Sequence, residues 1–332
     1  MSLTVHAPGL LSTVQDRGRP GHAALGVGSA GAADEVALRL ANALVGNARD
    51  AAALEFTLVG PRLQLERDAL IALTGDCTAR CDGDAVPAWR PLRIAAGATL
   101  ECGALRRGAR GYLAVAGGIA LPAVLGSRST DVNAGIGPLG GRALRAGDVL
   151  PLGVAAATAQ AGRGLPRAPR QGARAANWAL DPAPWFDATG QHPLRLLPGS
   201  HLDDLDPTSR AALWAETFRI GADSNRVGWR LDGPRLALAA PLQLVSTGVM
   251  PGTVQLPPDG TPIVLGVEAP TSGGYPRLGH VIAVDLPRLA QRRPGDALRF
   301  ALTDLAAAQR RLLRREQALA DLEARLHARL TA

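Results

Sequence analysis

One segment of the sequence carries more proline and glycine than a plain core strand requires: Met250-Pro251-Gly252-Thr253-Val254-Gln255-Leu256-Pro257-Pro258-Asp259-Gly260-Thr261-Pro262-Ile263. Two rigid turns bracket a single glutamine in an apolar, strand-like setting. The run Thr271-Ser272-Gly273-Gly274-Tyr275-Pro276 follows, and its paired glycines allow the backbone to approach another group closely. The pattern indicates a site built from backbone groups and a few polar side chains.

The length and composition favour a globular protein with one large domain or two ordinary ones. The chain has 332 residues, of which 47% are hydrophobic and 20% are charged. These values argue against a disordered chain or a long helical rod. No run of about 18 apolar residues occurs, and the N-terminus lacks the features of a signal peptide. We therefore expect a cytoplasmic protein that spans no membrane.

All basic residues other than histidine are arginines, because the sequence contains no lysine. An ATP-binding P-loop needs its lysine at the phosphates, and Schiff-base chemistry and covalent biotin both need a lysine amine. The chain is therefore expected to hold no nucleotide in a P-loop and to carry no covalently bound cofactor. The net charge of +7 comes from arginines scattered along the chain, so we expect no nucleic-acid partner.

The three cysteines, Cys77, Cys81 and Cys102, do not form a convincing metal-binding pattern. A zinc site would need a fourth ligand and usually closer pairs. We predict three reduced, mostly buried thiols and no metal site. A cysteine nucleophile is the alternative, although no histidine stands near these cysteines in the sequence.

The order of predicted elements indicates two β-rich halves. Short apolar segments alternate with turns over residues 1–153 and again over residues 194–303. Residues 154–193 are rich in Ala, Arg, Gly and Pro without a clear period, which predicts a linker or long loop. Gly60-Pro61-Arg62-Leu63 in the first half matches Gly233-Pro234-Arg235-Leu236 in the second, which indicates two related halves; a coincidence is the alternative, because the match is short.

Two helices are predicted. Residues 33–45 place apolar side chains on one face, and Gly46 ends the segment. In residues 304–332, Leu305, Leu312, Leu319 and Leu326 recur in a heptad pattern, which predicts an amphipathic helix that packs on the body or on a partner.

The stretch Gly26-Val27-Gly28-Ser29-Ala30-Gly31 fits a dinucleotide-binding pattern, but no apolar strand leads into its first glycine. We therefore do not expect NAD. The backbone N–H groups that open the following helix could instead hold a carboxylate or bicarbonate. Asp34 is then a candidate binding residue, and the alternative is that it caps the helix.

Two polar clusters are further candidates: Gln15-Asp16-Arg17, and Gly126-Ser127-Arg128-Ser129-Thr130-Asp131-Val132-Asn133. Hydroxyls, guanidinium groups and carboxylates in so few residues suit a small anionic or amide-bearing substrate. A solvated turn for the first cluster and a loop capped by its own hydroxyls for the second are the alternatives.

These motifs together resemble one family. They are Val14-Gln15-Asp16-Arg17-Gly18-Arg19-Pro20-Gly21, Gly126-Ser127-Arg128-Ser129-Thr130, Gly233-Pro234, the stretch from Gly252 to Ile263, and Gly273-Gly274-Tyr275-Pro276. The family is the biotin-dependent carboxyltransferase group, also described as allophanate hydrolase subunit 2, as KipA-like proteins and as the C subunit of bacterial 5-oxoprolinase. The resemblance spans roughly residues 3–303.

The resemblance implies a mainly β architecture of two cyclophilin-like β-barrels. It implies an enzyme subunit that works with two further proteins, a KipI-like one (the B subunit) and a LamB/YcsF-like one (the A subunit). The implied reaction is the ATP-dependent opening of 5-oxoproline to glutamate, with ATP bound by a partner. Relatives in urea amidolyase instead transfer a carboxyl group from carboxybiotin, which would be supplied in trans, to urea or a similar amide.

Six positions depart from the family pattern: Asn225, Val227, Glu268, Pro270, Ser272 and Arg277. Asn225 stands where an aspartate is usual, and Pro270 stands where a glutamine is usual, which removes an amide side chain and a backbone N–H. These changes leave a third alternative, a non-catalytic regulatory partner of a KipI-like protein.

The resemblance supplies the positions of the candidate site residues, and the roles given to them here are our own hypothesis. Gln255 and the backbone N–H groups near Gly273 and Gly274 would polarise a carbonyl. Arg17 or Arg128 would pair with a substrate carboxylate, and Asp131 would position a proton or a water. The other expected substrate-binding residues are Gln15, Asp34, Ser127, Ser129, Asn133, Arg226 and Tyr275.

Overall fold

The computed structural model describes residues 2–155, 165, 167 and 169–331 of the chain. These residues divide into two compact units. The first unit comprises Met1–Gly18, Asp34–Asp187 and Ala318–Ala332, and the second comprises Arg19–Ala33 and Ala188–Gln317.

The first unit contains two six-stranded sheets, in which every strand pairing is antiparallel. One sheet has the order β11-β1-β4-β9-β6-β7 and the other β12-β8-β5-β10-β3-β2. The strands are β1 (Ser2–Ala7), β2 (Leu11–Gln15), β3 (Ala53–Thr57), β4 (Arg62–Leu65), β5 (Ala69–Cys77), β6 (Arg80–Cys81), β7 (Asp84–Ala85), β8 (Pro91–Ile94), β9 (Thr99–Glu101), β10 (Leu105–Val115), β11 (Val149–Pro151) and β12 (Ala173–Ala175).

Burial along the strands follows from their sequence patterns. In β1 the apolar Leu3 and Val5 alternate with polar residues and point into the core, as expected for a strand with one solvated face. In β5 nearly every residue is buried, because helix α1 (Glu35–Leu44) packs on the other face of that sheet. The hydroxyl of Thr74 on β5 donates to the carbonyl of Ala37 at 3.0 Å, which ties the helix to the strand.

Helix α1 confirms the helix predicted from the apolar periodicity of residues 33–45. The carboxylate of Asp34 accepts a hydrogen bond from Ala37 N at 3.0 Å, which satisfies one free donor at the helix start. The helix ends at Leu44, and Gly46 follows with φ of 73°. A short helical turn, α2, occupies Pro138–Gly141.

The predicted linker contributes structure to the first unit. Within residues 154–193, strand β12 pairs with β8 through the register Ala173↔Ile94 and extends the second sheet. Residues 156–164 of that predicted linker, together with 166 and 168, lie outside the described residues.

The second unit is built on an eight-stranded sheet with the order β21-β14-β15-β18-β17-β20-β13-β22, beside a two-stranded ladder of β16 and β19. Strands β21 and β22 stand at opposite ends of that order, yet only Arg299 separates them in the chain, so the sheet nearly closes into a barrel. The strands are β13 (Leu194–Pro198), β14 (Phe218–Ile220), β15 (Gly228–Asp232), β16 (Thr247–Gly248), β17 (Thr253–Gln255), β18 (Ile263–Leu265), β19 (Ser272–Gly273), β20 (Arg277–Val281), β21 (Ala297–Leu298) and β22 (Phe300–Leu302).

An apolar core fills the nearly closed barrel that this sheet forms. The rings of Phe218 and Phe300 pack at 5.9 Å between centroids, and Trp229 and Leu213 are buried in the same cluster. Leu213 belongs to helix α3 (Pro207–Ala215), and a second short helix, α4, spans Leu286–Ala290. The mainly β architecture predicted for the chain is therefore confirmed.

The C-terminal helix, α5, spans Leu305–Thr331 and confirms the helix predicted for residues 304–332. The heptad leucines do not form one buried row. Leu319 and Leu326 are buried, whereas Leu305 is 60% exposed. Among the described residues, no helix combines the length and apolar content that a bilayer crossing would need.

Candidate functional site

Gln255 lies at the end of β17 with its side chain almost fully buried. It pairs with Ile263 of β18 on one side and with Arg277 of β20 on the other. Only 5% of the residue is exposed, and its Nε2 atom has no hydrogen-bond partner among the described residues. Buried amide donors in folded proteins nearly always have an acceptor, so this atom marks a place where one is missing.

Gly273 leaves space for that amide. A Cβ atom on Gly273 would stand 2.6 Å from Nε2 of Gln255, closer than real Cβ contacts allow. Gly273 pairs with Thr247 in the β16–β19 ladder, and Tyr275 beyond it is 46% exposed. Gln255, Gly273, Gly274 and Tyr275, all singled out in the sequence, thus meet in one region of the second unit.

The proline-rich loop between β17 and β18 explains how Gln255 is held. Gly260 adopts a φ of 77°, which favours glycine, and Asp259 accepts a hydrogen bond from Thr261 N at 3.0 Å. This bond and the prolines Pro257 and Pro258 restrict the loop that follows Gln255 in the chain. At the start of β17, Gly252 takes a φ of 93° against the carbonyl of Val281.

A small cavity of about 180 Å³ lies in the second unit beside the β16–β19 ladder. Val249 and Thr271, whose backbones are joined by a 3.0 Å hydrogen bond next to the ladder, both line it. Arg19 also lines it and is only 1% exposed. Arg19 is not among the site residues predicted from the sequence, because the loop motif in which it stands does not show that it is buried.

Arg226, expected to bind substrate, is engaged within the protein. It forms a buried ion pair with Glu268 and donates to the carbonyl of Gly31 at 2.6 Å. These bonds connect Gly31 of the glycine-rich 26–31 segment to the residues that lead into β15. The nearby Asn225 accepts a hydrogen bond from Val227 N at 2.8 Å, a turn contact that its side-chain oxygen can make without a carboxylate's charge.

In the first unit, the two polar clusters singled out in the sequence meet around Asp16, for which no role was predicted. Asp16 Oδ1 accepts from Ser127 Oγ at 2.5 Å, from Ser129 Oγ at 2.6 Å and from Gly18 N at 2.8 Å. Its Oδ2 accepts from Arg128 N at 2.6 Å. Asp16 is 7% exposed, so this carboxylate holds the two distant segments together.

Gln15, next to Asp16, is fully buried. Its Nε2 donates to Thr13 Oγ1 at 2.9 Å and to the carbonyl of Thr130 at 2.8 Å, while its Oε1 has no donor among the described residues. Gln15 therefore offers a buried acceptor in the first unit, and Gln255 a buried donor in the second.

The remaining candidates of the first unit have mostly structural contacts. Arg128 donates from Nε to the carbonyl of Leu121 at 2.6 Å, and Asp131 accepts from Ala134 N at 2.8 Å within its own turn. Asp34 caps helix α1 and its backbone N–H donates to the hydroxyl of Tyr112 at 2.8 Å. Arg17 and Asn133 are exposed.

The cysteines have the character predicted from the sequence. All three are free and buried, and burial raises the pKa of Cys77 and of Cys81 to about 11. Burial raises the pKa of Cys102 well above its usual value. These thiols are poor nucleophiles at neutral pH. No cluster of metal-ligating side chains occurs among the residues that the structure describes.

Comparisons with known proteins identify relatives along nearly the whole chain. Residues 25–302 match the family described as carboxyltransferase domain, subdomain A and B. The C subunit of Escherichia coli 5-oxoprolinase is 39% identical over 327 residues, which cover 98% of this chain and 99% of that protein. The C subunit of Haemophilus influenzae 5-oxoprolinase is 35% identical over 298 residues, 90% of each chain.

The fold also resembles a solved structure. The crystal structure of the K. lactis urea amidolyase matches 96% of this chain with a TM-score of 0.85 and 27% sequence identity. The chain spans 20% of the length of that protein. This similarity confirms the barrel-based fold.

Proposed function

We infer, from the premise that this chain belongs to the carboxyltransferase domain family with subdomains A and B, that it is a subunit of a 5-oxoprolinase complex. Two relatives, each named as the C subunit of a 5-oxoprolinase, match at least nine-tenths of the chain and support this assignment. The complex would open 5-oxoproline to glutamate with the hydrolysis of ATP.

The buried amide donor of Gln255 is the observation that carries the proposal. A cyclic amide presents a carbonyl oxygen that gains negative charge when the ring is attacked. Nε2 of Gln255, which lacks an acceptor among the described residues, would donate to that oxygen. The backbone of Gln255 is held between two neighbouring strands, and its side chain is almost fully buried, so the donor would need little reorganisation when charge develops.

Arg19 is the residue that we assign to the substrate carboxylate, in place of Arg17 or Arg128. Arg19 lines a cavity that adjoins the β16–β19 ladder, and only 1% of the residue is exposed to solvent. An ion pair in such a place is less screened by water and salt than one made by the exposed Arg17. Arg128 belongs to the first unit, whereas the described residues that line this cavity belong to the second.

The chain would supply binding and polarisation, while partners supply the nucleotide chemistry. Without lysine it can form no P-loop contact to phosphates and carry no biotin. The proposed partners are a KipI-like protein and a LamB/YcsF-like protein, and ATP is assigned to one of them. The cytoplasm is the proposed location.

The experiment is reconstitution. The chain is mixed with its two proposed partners, and ATP hydrolysis that depends on 5-oxoproline is measured. We expect activity from the complete mixture and none when this chain is omitted. Equal activity with and without this chain would refute the proposal that the complex requires it.

Transfer of a carboxyl group from carboxybiotin is a second candidate, favoured by the structural match to the K. lactis urea amidolyase. It requires a biotinylated carrier on another polypeptide. Avidin added to the reconstituted system separates the two functions: it should leave a 5-oxoprolinase unaffected and should block a biotin-dependent carboxyltransferase.

A further inference from the structure

A wide cleft of about 680 Å³ opens in the first unit, beside the ends of strands β5 and β10. None of the residues assigned above to catalysis or substrate binding lines it. We propose that this β5–β10 cleft binds a small organic anion that carries a ring, with its anionic group on Arg106 and Arg107 and its ring near Trp89 and Phe186.

The cationic side of the cleft is a triad of two arginines and one aspartate. Arg106 Nη2 lies 2.5 Å from Asp76 Oδ1, and Arg107 Nε lies 2.8 Å from Asp76 Oδ2. Burial acts to raise the pKa of Asp76, but hydrogen bonds from Arg107 and Arg106 outweigh it and lower the pKa below its usual value. The carboxylate is therefore ionised at neutral pH, and the triad carries one net positive charge.

The two guanidinium groups are held in place but remain accessible. Their side chains are 68% and 69% exposed, whereas that of Asp76 is 12% exposed. One carboxylate cannot satisfy all the N–H groups of two arginines, so donors are left for a ligand. Arg80 adds a third cation, since it donates to the carbonyl of Gly83 at 2.6 Å rather than to a carboxylate.

Asp76 is the only carboxylate among the described residues that line the cleft. The charge balance of three arginines against one aspartate favours an anion over a cation or a neutral compound. Planar guanidinium groups suit carboxylate and phosphate oxygens, which accept two parallel hydrogen bonds from one arginine.

The apolar side of the cleft is formed by Trp89, Phe186 and neighbouring prolines. The two rings pack at 5.9 Å between centroids with a tilt of 58°. Trp89 adopts a φ of 59°, which is rare for a bulky residue and costs conformational energy. Its indole N–H donates to the carbonyl of Gly75 at 3.1 Å, so the ring is fixed at the cleft wall.

Aromatic walls opposite a cationic rim fit a ligand with two unlike ends. A ring would pack on the half-buried Phe186, whose ring contacts the buried Trp89, while its carboxylate or phosphate reaches the arginines. An adenine nucleotide and an aromatic carboxylate both combine a ring with an anionic group. Binding measurements with each compound separately distinguish them.

The test is equilibrium binding to the full chain by isothermal titration calorimetry, with ADP, indole-3-acetate and inorganic phosphate as probes. We expect at least one of the two ring-bearing anions to bind more tightly than phosphate. Binding of ADP alone assigns the cleft to nucleotides, and binding of indole-3-acetate alone assigns it to aromatic carboxylates. No binding of either at millimolar concentration would overturn the proposal.

Variants locate the bound ligand. Arg107→Gln should weaken binding roughly tenfold, because a charge-assisted hydrogen bond is lost while Arg106 still pairs with Asp76. Phe186→Ala should weaken it by a similar factor through loss of the ring contact. Arg67→Gln is the matched control, since Arg67 is exposed in the same unit outside the cleft.

Thermal unfolding of each variant shows whether it is folded before binding is compared. If Arg67→Gln weakened anion binding as much as Arg107→Gln, the effect would come from the overall charge of the protein, and the proposed binding site would be wrong. Unchanged affinity in Phe186→Ala would overturn the role of the ring wall.

Discussion

Gly273 lies against the side-chain amide of Gln255, so close that a Cβ atom at this glycine would stand 2.6 Å from Nε2. The amide is buried and has no acceptor among the described residues. The absence of a side chain at Gly273 therefore leaves room for Nε2 of Gln255, a donor to which the described part of the protein offers no acceptor.

Gly273→Ala should displace the Gln255 side chain and reduce 5-oxoproline-dependent ATP hydrolysis in the reconstituted complex by about tenfold or more. The added methyl group would collide with the side-chain amide of Gln255. Backbone strain is not the cause, because Gly273 does not have a left-handed φ. Gly248→Ala is the control, since a Cβ atom at Gly248 meets no atom within 4 Å. Equal activity in the two variants would disprove the steric relationship.

Arg19→Gln should raise the KM for 5-oxoproline by about tenfold to a hundredfold, because a shielded ion pair to the substrate carboxylate is lost. Arg17→Gln should change the KM little, since Arg17 is exposed. The measurement is steady-state ATP hydrolysis at varied 5-oxoproline. A larger increase in KM for Arg17→Gln than for Arg19→Gln would show that Arg17, as predicted from the sequence, pairs with the substrate carboxylate.

Asp16→Ala should lower the free energy of unfolding by about 2–4 kcal/mol, because it leaves the buried donors of Ser127, Ser129 and Arg128 without their acceptor. Ser127→Ala removes the bond to Asp16 and also the acceptor of Ser129 N, and should cost about 1–2 kcal/mol. Urea denaturation gives both values. The exposed Ser200→Ala serves as the control, and a loss there as large as in Asp16→Ala would argue against the cluster.

The Arg142–Asp148 pair should make the free energy of unfolding depend on pH in the acidic range. A hydrogen bond from Arg142 lowers the pKa of Asp148 below its ordinary value of 3.8 in the folded protein. The unfolded chain then binds the proton more readily than the folded protein does. The contribution of this pair to the free energy of unfolding is therefore fully present above pH 3.8, and it is lost as the pH falls through the pKa of Asp148 in the folded protein. The stability difference between the protein and Asp148→Asn should shrink below pH 3.8. A difference independent of pH would contradict this.

Local patterns in the sequence were sufficient for much of the fold. The apolar spacing of residues 33–45 predicted helix α1, and the cap at Asp34 was one of two interpretations of its position. The turns around Gln255 predicted its strand, because proline and glycine restrict or free the backbone locally. Such features depend on near neighbours in the chain.

Features that depend on distant residues could not be predicted in this way. Asp16 meets Ser127 across 111 positions of the chain, and nothing in either segment specifies the other as its partner. The burial of Arg19 depends likewise on chain segments far from it. Leu305 fits the heptad pattern of helix α5 but is exposed, because periodicity does not show where a packing surface ends.

The Gln255→Ala variant tests the central claim most directly, with Gln309→Ala on an exposed position of helix α5 as the control. The measurement is the kcat for 5-oxoproline-dependent ATP hydrolysis by the reconstituted complex, after thermal unfolding has shown that both variants are folded. We predict a loss on the order of a hundredfold for Gln255→Ala, the usual effect of removing one donor to a developing oxyanion, and no loss for the control. Undiminished activity in Gln255→Ala would contradict the account.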